Sequence, residues 1–275
     1  MGLSENTKVA ILGAGNIGTS IAKGLVFSKQ FRPEQIFLTR RKVHLLDEYA
    51  KQGFIVHSEN QKAVEASHFV FLCVEPQQID ALLTEIAPVV KPERHIVISV
   101  VSGVGFREMQ KRLDKKVRLV RAMPNLAISI GESMTCLAFQ KETDAETVEE
   151  VKSLFMPLGK VMIIDEEQMI AATILAACGI AFFLRAIRAA SQGGIEIGFH
   201  SQDALTIAAQ TAKGAAALLL VSNHHPEWEI DRVTTPRGCT ISGLNQMEHE
   251  GFSSAMIKGI LTSRDKAEKL YPGLE

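Results

Sequence analysis

The chain has 275 residues, 46% of them hydrophobic, with 30 basic and 31 acidic side chains and a formal net charge of −1. That length exceeds one ordinary compact core and fits one large or two smaller domains. The balanced charge supplies no basic field for nucleic acid or an anionic membrane surface, so neither is expected as a partner.

The first predicted element is a strand, Val9 to Leu12, which runs into Gly13-Ala14-Gly15-Asn16-Ile17-Gly18 and continues with helical spacing through Leu25. Strand, GxGxxG turn and helix form the context of a dinucleotide site. Gly13 allows the tight turn, Gly15 lets the backbone approach a pyrophosphate, and Gly18 lets the helix pack close to the strand. The N–H groups at the helix start face the anion. A second strand, Gln35 to Leu38, ends at Thr39-Arg40-Arg41, where an NAD-binding chain usually carries a carboxylate for the ribose hydroxyls. A guanidinium there pairs with the 2′-phosphate instead, which favours NADP, and NADPH over NADH. The same residues also read as a solvated basic loop leading into a helix from His44 to Gln52.

Further along, helices are predicted at Asn60 to Glu65, Gln77 to Ala87 and Gly105 to Leu113. Strands are predicted at Phe69 to Val74, His95 to Val100, Arg118 to Met123, Met134 to Ala138 and Val161 to Ile164. The alternation predicts an α/β chain with an N-terminal Rossmann-type doubly wound sheet over residues 1–165. From Glu166 the helical period takes over, so an all-helical domain over 166–275 is expected. Its apolar stretch from Met169 to Leu184 falls short of the roughly 18 to 20 residues that a spanning helix needs. Arg185 and Arg188 follow it, and the segment is expected to be buried in a helical core or against a second subunit.

In an open α/β sheet, ligands collect beyond the carboxyl ends of the strands. The glycine turn, Cys73-Val74-Glu75-Pro76-Gln77 and Ala122-Met123-Pro124-Asn125 belong there, although the last two also read as ordinary turns. A loop near the C-terminus, Pro236-Arg237-Gly238-Cys239-Thr240, leads into an apparent helix near Ile241. Its amides at Gly238, Cys239 and Thr240 can converge on an anion. Thr240 as the N-cap of a ligand-free turn is the competing reading. The eight histidines show no metal-ligand spacing, and Cys73, Cys136, Cys178 and Cys239 form no CxxC pair, so no metal is expected. Reduced thiols, and a start without a charged leader and apolar signal core, point to the cytoplasm.

The glycine motif, Leu72 to Gln77, Arg121 to Asn125 and Val233 to Ile241 together resemble pyrroline-5-carboxylate reductase, in order from about residue 8 to residue 269. The resemblance implies reduction of a cyclic imine carboxylate with NAD(P)H, the last step of proline biosynthesis, by a homodimer or larger assembly built through the helical domain. It also implies that Asn60 lies near the adenosine, Val74 and Pro76 border the dinucleotide, and Met123, Pro124 and Asn125 border the nicotinamide. Thr173 matches a substrate-contacting threonine, and Gly238, Cys239 and Thr240 fall in the substrate loop. In this reading Thr240 orients the ring nitrogen or the carboxylate, supported by Thr173, while hydride passes to an already electrophilic imine carbon.

Three departures stand out: Glu75 replaces a lysine, and Arg237 and Cys239 replace a glycine and a threonine of the substrate loop. A lysine-dependent alcohol dehydrogenase of similar layout is disfavoured, because no lysine occurs from Glu166 to Ala212. A divergent enzyme for another small imine or keto acid, or a non-catalytic redox sensor, remains as an alternative.

Overall fold

The computed structural model describes residues 6–269; the reading of a missing leader falls on the first residues of the chain and lies in part outside them. Of the described residues, 6–178 and 263–269 form one compact unit and 179–262 a second.

The first unit holds eight strands in the order β3-β2-β1-β4-β5-β6-β7-β8. They are β1 (Val9–Leu12), β2 (Ile36–Thr39), β3 (Ile55–His57), β4 (Phe69–Leu72), β5 (Ile96–Ser99), β6 (Arg118–Met123), β7 (Ser133–Phe139) and β8 (Gly159–Ile163). The helices of this unit include α1 (Asn16–Phe27), α2 (Asp47–Lys51), α3 (Asn60–Ala66), α4 (Ile79–Ile86), α5 (Phe106–Met109), α6 (Ala145–Phe155) and α7 (Met169–Ala172). The first six strands are parallel, and their 3-2-1-4-5-6 order is that of a doubly wound dinucleotide fold.

Both faces of the sheet are covered, which is why its strands read as unbroken apolar runs. Val9, Ile11, Phe69, Phe71, Ile96 and Ile98 enter one core cluster. Ala10, Leu12, Val70, Leu72 and Val97 enter the other. Each large side chain so buried contributes roughly 1.5–3 kcal/mol. Strand β7 runs antiparallel to β6, because the connection from Met123 to Ser133 is too short for the crossover of about a dozen residues that a parallel neighbour requires. Strand β8 then returns through α6 to pair parallel with β7.

Several elements differ from the sequence reading. Strand β3 was not expected; it has three residues, all half-buried, and shows too little apolar alternation to stand out. The helix expected from His44 to Gln52 is a 3-10 turn, Val43–Leu46, followed by α2. The one expected from Gly105 to Leu113 is the single turn α5.

The second unit contains α8 (Gly179–Glu196), α9 (Ser201–Ser222), α10 (Pro226–Val233) and α11 (Cys239–His249), and α12 (Phe252–Ala267) begins in it. Helices α8 and α9 pack closely enough that a Cβ on Gly194 would lie 3.1 Å from the Cβ of Ala204. The apolar stretch expected to be buried is covered only in part by its own chain: Met169, Thr173, Ile174 and Gly179 are buried, whereas Leu175, Phe183 and Leu184 are exposed. Of the two coverings considered, only a second subunit remains for them.

Candidate nucleotide and substrate sites

The glycine turn lies at the switch point between β1 and β4, where the strand order reverses. Gly13 has φ +91°, and a Cβ there would meet the Cys73 carbonyl oxygen at 2.7 Å. A Cβ on Gly18 would lie 2.9 Å from the Gly13 carbonyl oxygen and 3.0 Å from Ile11, so glycine is what lets α1 approach β1. Around a Cβ on Gly15 no protein atom lies within 4 Å. That side of the turn is open, unlike the packed faces at Gly13 and Gly18. The Gly13 and Ala14 amides donate to the Thr39 carbonyl, and the Gly15 amide donates to Gly13. The amides of Asn16, Ile17 and Gly18, in the first turn of α1, are those without an acceptor inside the helix.

The end of β2 fastens this turn. Besides its carbonyl bonds, Thr39 places a buried hydroxyl 2.6 Å from Oδ1 of Asn60, and Nδ2 of Asn60 donates to Oε2 of Glu85 at 2.9 Å. Thr39 is therefore spent on protein and does not share the exposed position of Arg40 and Arg41. The Arg40 guanidinium reaches the Ala14 carbonyl at 3.4 Å, directly beside the turn. Among the described residues neither arginine has a carboxylate partner. Arg40 beside the turn, with Arg41 next in the chain and neither paired with a carboxylate, fits a 2′-phosphorylated dinucleotide.

Past β4, Val74 and Pro76 are half-buried and Glu75 is exposed. Cys73, beneath the turn, has its thiol pushed well above the ordinary range by burial, which makes it an inert packing group. At the end of β6, Met123 and the following Pro124 are buried. Asn125 spends its side chain on protein: Oδ1 accepts from the Ala127 amide at 3.0 Å and Nδ2 donates to the Ala176 carbonyl at 3.1 Å.

That carbonyl belongs to a π-helical turn, Thr173–Cys178, whose widened ladder is a frequent feature of functional sites. Thr173 is buried and its hydroxyl donates to the Met169 carbonyl at 2.8 Å. A pair that the sequence did not announce, Arg121 and Glu166, lies nearby in the chain fold at 3.2 Å. Burial lowers the pKa of the Arg121 guanidinium while Glu166 opposes the shift. The same Glu166 oxygen accepts from the Phe106 amide at 2.7 Å, so one carboxylate joins β6, α5 and the entry to α7.

In the second unit, Gly238 is the N-cap of α11, whose first residue, Cys239, lies two residues ahead of the expected helix start near Ile241, so Thr240 is not the cap. The Gly238 amide donates to the Thr235 carbonyl and is consumed by the turn. The amides in the first turn of the helix are those of Cys239, Thr240 and Ile241. Cys239 and Thr240 are exposed. Arg237 has φ +61°, the left-handed conformation that suits a glycine.

A model described as "NADP oxidoreductase coenzyme F420-dependent" matches residues 8–103, and one described as "Pyrroline-5-carboxylate reductase dimerisation" matches residues 166–270. Pyrroline-5-carboxylate reductase 2 of Dictyostelium discoideum is 46% identical over 290 residues, covering 99% of this chain and 96% of its own. The chain belongs to the pyrroline-5-carboxylate reductase family. Pyrroline-5-carboxylate reductase 1 of the same organism is 56% identical over 274 residues; the match takes in 96% of this chain but spans only 50% of that protein's length. The crystal structure of Plasmodium falciparum pyrroline carboxylate reductase with NADP bound superposes with a TM-score of 0.87 at 20% identity, covering 98% of this chain and 99% of the other. At that identity it speaks for the fold.

Family membership also bears on the apolar helices. Two stretches, Glu166–Glu196 and Ser201–Ser222, are long and apolar enough to cross a membrane by length and composition. The length argument made from Met169 to Leu184 therefore does not hold, because the helix continues through Arg185 and Arg188. Both stretches fall inside the region matched by the dimerisation model, which accounts for their apolar surface. Among the described residues no three His, Cys, Asp or Glu side chains are grouped to hold a metal ion.

Proposed function

We propose that the chain is a pyrroline-5-carboxylate reductase, converting 1-pyrroline-5-carboxylate to L-proline with NADPH preferred over NADH. Family membership supports the reaction, and one structural observation carries the nucleotide reading: a glycine turn left bare over Gly15, flanked by the unpaired Arg40 and Arg41. Residues 1–165 serve as the nucleotide-binding domain and 166–275 as the substrate and dimerisation domain. The end of β8 at Ile163 and the start of the dimerisation match at residue 166 support that division, although residues 166–178 and 263–269 belong to the first compact unit. The active form is a homodimer or larger homo-oligomer, and the enzyme works in the cytoplasm.

A bound reduced nicotinamide supplies a hydride for the imine carbon. The chain holds and orients. Gly13, Ala14 and Gly15 form the turn that the pyrophosphate approaches, and Asn16, Ile17 and Gly18 present the amides of the α1 start to it. Arg40 and Arg41 face the 2′-phosphate, with Thr39 acting behind them through Asn60. Val74, Pro76, Met123, Pro124 and Asn125 border the dinucleotide. The amides of Cys239 and Thr240 receive the substrate carboxylate, with Gly238 shaping the turn, and the Thr240 hydroxyl orients the ring nitrogen or carboxylate with Thr173 in support. A protonated imine needs no further acid, so positioning and exclusion of water account for the protein's share of the rate.

Mixing the purified chain with NADPH and pyrroline-5-carboxylate and following nicotinamide absorbance tests this reading. Sustained consumption with proline as product is expected, and slower turnover with NADH. Tight NADPH binding without turnover would overturn the enzyme assignment in favour of a sensor, and a preference for NADH would overturn the arginine argument.

A further inference from the structure

The side chain of Asn60 is held from two sides, by Thr39 at the end of β2 and by Glu85, which no binding motif contains. Its Oδ1 accepts from the Thr39 hydroxyl at 2.6 Å and its Nδ2 donates to Glu85 Oε2 at 2.9 Å. The two partners act differently. A hydroxyl can donate or accept and so tolerates either orientation of the amide. A carboxylate only accepts. Turning the Asn60 amide over would set Oδ1 against the Glu85 oxygen, two acceptors facing one another. Glu85 therefore selects which way Asn60 presents its remaining N–H and its remaining lone pair.

Glu85 is itself held in place. It lies in the last turn of α4, and its backbone carbonyl accepts from Gln61 Nε2 at 2.6 Å, so α4 grips the first turn of α3 at two adjacent points. On the other side, Thr39 joins this amide to the nucleotide turn. Its hydroxyl holds Asn60, its carbonyl accepts from the Gly13 and Ala14 amides, and the neighbouring Arg40 guanidinium reaches the Ala14 carbonyl. One strand end thus touches both the pyrophosphate cradle and the amide beside it, while Glu85 fixes which way that amide is turned.

We propose that Glu85 is a positioning residue for the nucleotide, acting through Asn60 to fix the polar edge offered to the adenosine half of the cofactor. The inference rests on the nucleotide-binding reading above. Glu85 touches neither reacting atom nor substrate in this scheme, so its loss falls on cofactor affinity and leaves the chemical step alone.

The test is a double-mutant cycle on the full chain with NADPH as the probe, reading its Kd by fluorescence titration alongside kcat and both KM values. Losing one charge-assisted hydrogen bond of this kind predicts that Glu85→Ala raises the NADPH Kd by about tenfold. The kcat and the KM for pyrroline-5-carboxylate are expected to stay unchanged. Glu85→Gln, whose amide oxygen can still accept, is expected to recover most of the affinity. In an Asn60→Ala background, Glu85→Ala is expected to add nothing further. An unaltered Kd in Glu85→Ala, or an equal loss with Asn60 already absent, would overturn the proposal while leaving the nucleotide site standing. An unmodified chain that fails to bind NADPH would instead overturn the reading on which it rests.

Discussion

Glycines that look alike in the motif do different physical work. At Gly13 the positive φ and the Cys73 carbonyl 2.7 Å from a Cβ both exclude a side chain, whereas at Gly15 nothing in the protein opposes one. Gly15→Ala is therefore expected to fold with a thermal midpoint within a few degrees of that of the unmodified chain, since alanine is the poorer N-cap by about 1 kcal/mol. Its NADPH Kd is expected to rise by at least about tenfold, because the methyl group occupies the approach reserved for the pyrophosphate. Calorimetry and a binding titration on the same sample check both halves, and unchanged affinity would remove the ligand from that face of the turn.

In the loop before α11 the logic is reversed. Arg237 holds a left-handed φ of +61°, while Gly238, the next residue, has the Thr235 hydroxyl oxygen 2.6 Å from where a Cβ would stand. Arg237→Gly is expected to stabilise the chain by about 1 kcal/mol, the strain relieved exceeding the added freedom of the unfolded chain. A raised urea midpoint would show this; a lowered one would mean that the arginine side chain contributes more than its backbone costs.

Between elements, the bond from Asn125 Nδ2 to the Ala176 carbonyl ties the loop after β6 to the π-helical turn. Asn125→Asp keeps the oxygen that accepts from the Ala127 amide and removes only the donor, setting a carboxylate against a carbonyl. A loss of about 1–3 kcal/mol is expected from that mismatch, read as a lower urea midpoint at neutral pH. A variant as stable as the parent would show that the π turn holds itself. No such tie is visible in the sequence, because its partners are 51 positions apart and neither belongs to a recognisable spacing.

The same holds for Thr39, Asn60 and Glu85, and for Arg121 with Glu166. The parallel strands were legible because burial on both faces makes them continuous apolar runs, and the glycine turn because its constraints are local in the chain. Strand β3 was not, being three half-buried residues whose pairing with β2 comes from tertiary context. The π turn was hidden as well: Thr173 to Cys178 has the composition of any apolar helix, and its irregular ladder is set by what packs around it.

For the molecule as a whole, the decisive feature is the apolar surface that the helical half leaves uncovered. Leu220 and Val221 at the end of α9 are 71% and 84% exposed, and Phe183 on α8 is 62% exposed. Monomeric soluble proteins seldom present contiguous apolar patches beyond a few hundred Å², so a second copy covering these helices is the arrangement that the dimerisation match implies. Leu220→Glu combined with Val221→Lys leaves the net charge unaltered and both residues tolerable in a helix, while placing two charges where apolar contact is expected. Sedimentation equilibrium is expected to show a smaller species, and the thermal midpoint is expected to fall and to lose its dependence on protein concentration as assembly stops contributing to stability. Gln210→Glu on the same exposed helix serves as the control for charge alone. An unchanged mass would place the interface elsewhere on the helices. Partition of the parent chain into lipid vesicles, abolished by the same pair of charges, would instead show that the apolar length of Ser201–Ser222 is used against a membrane.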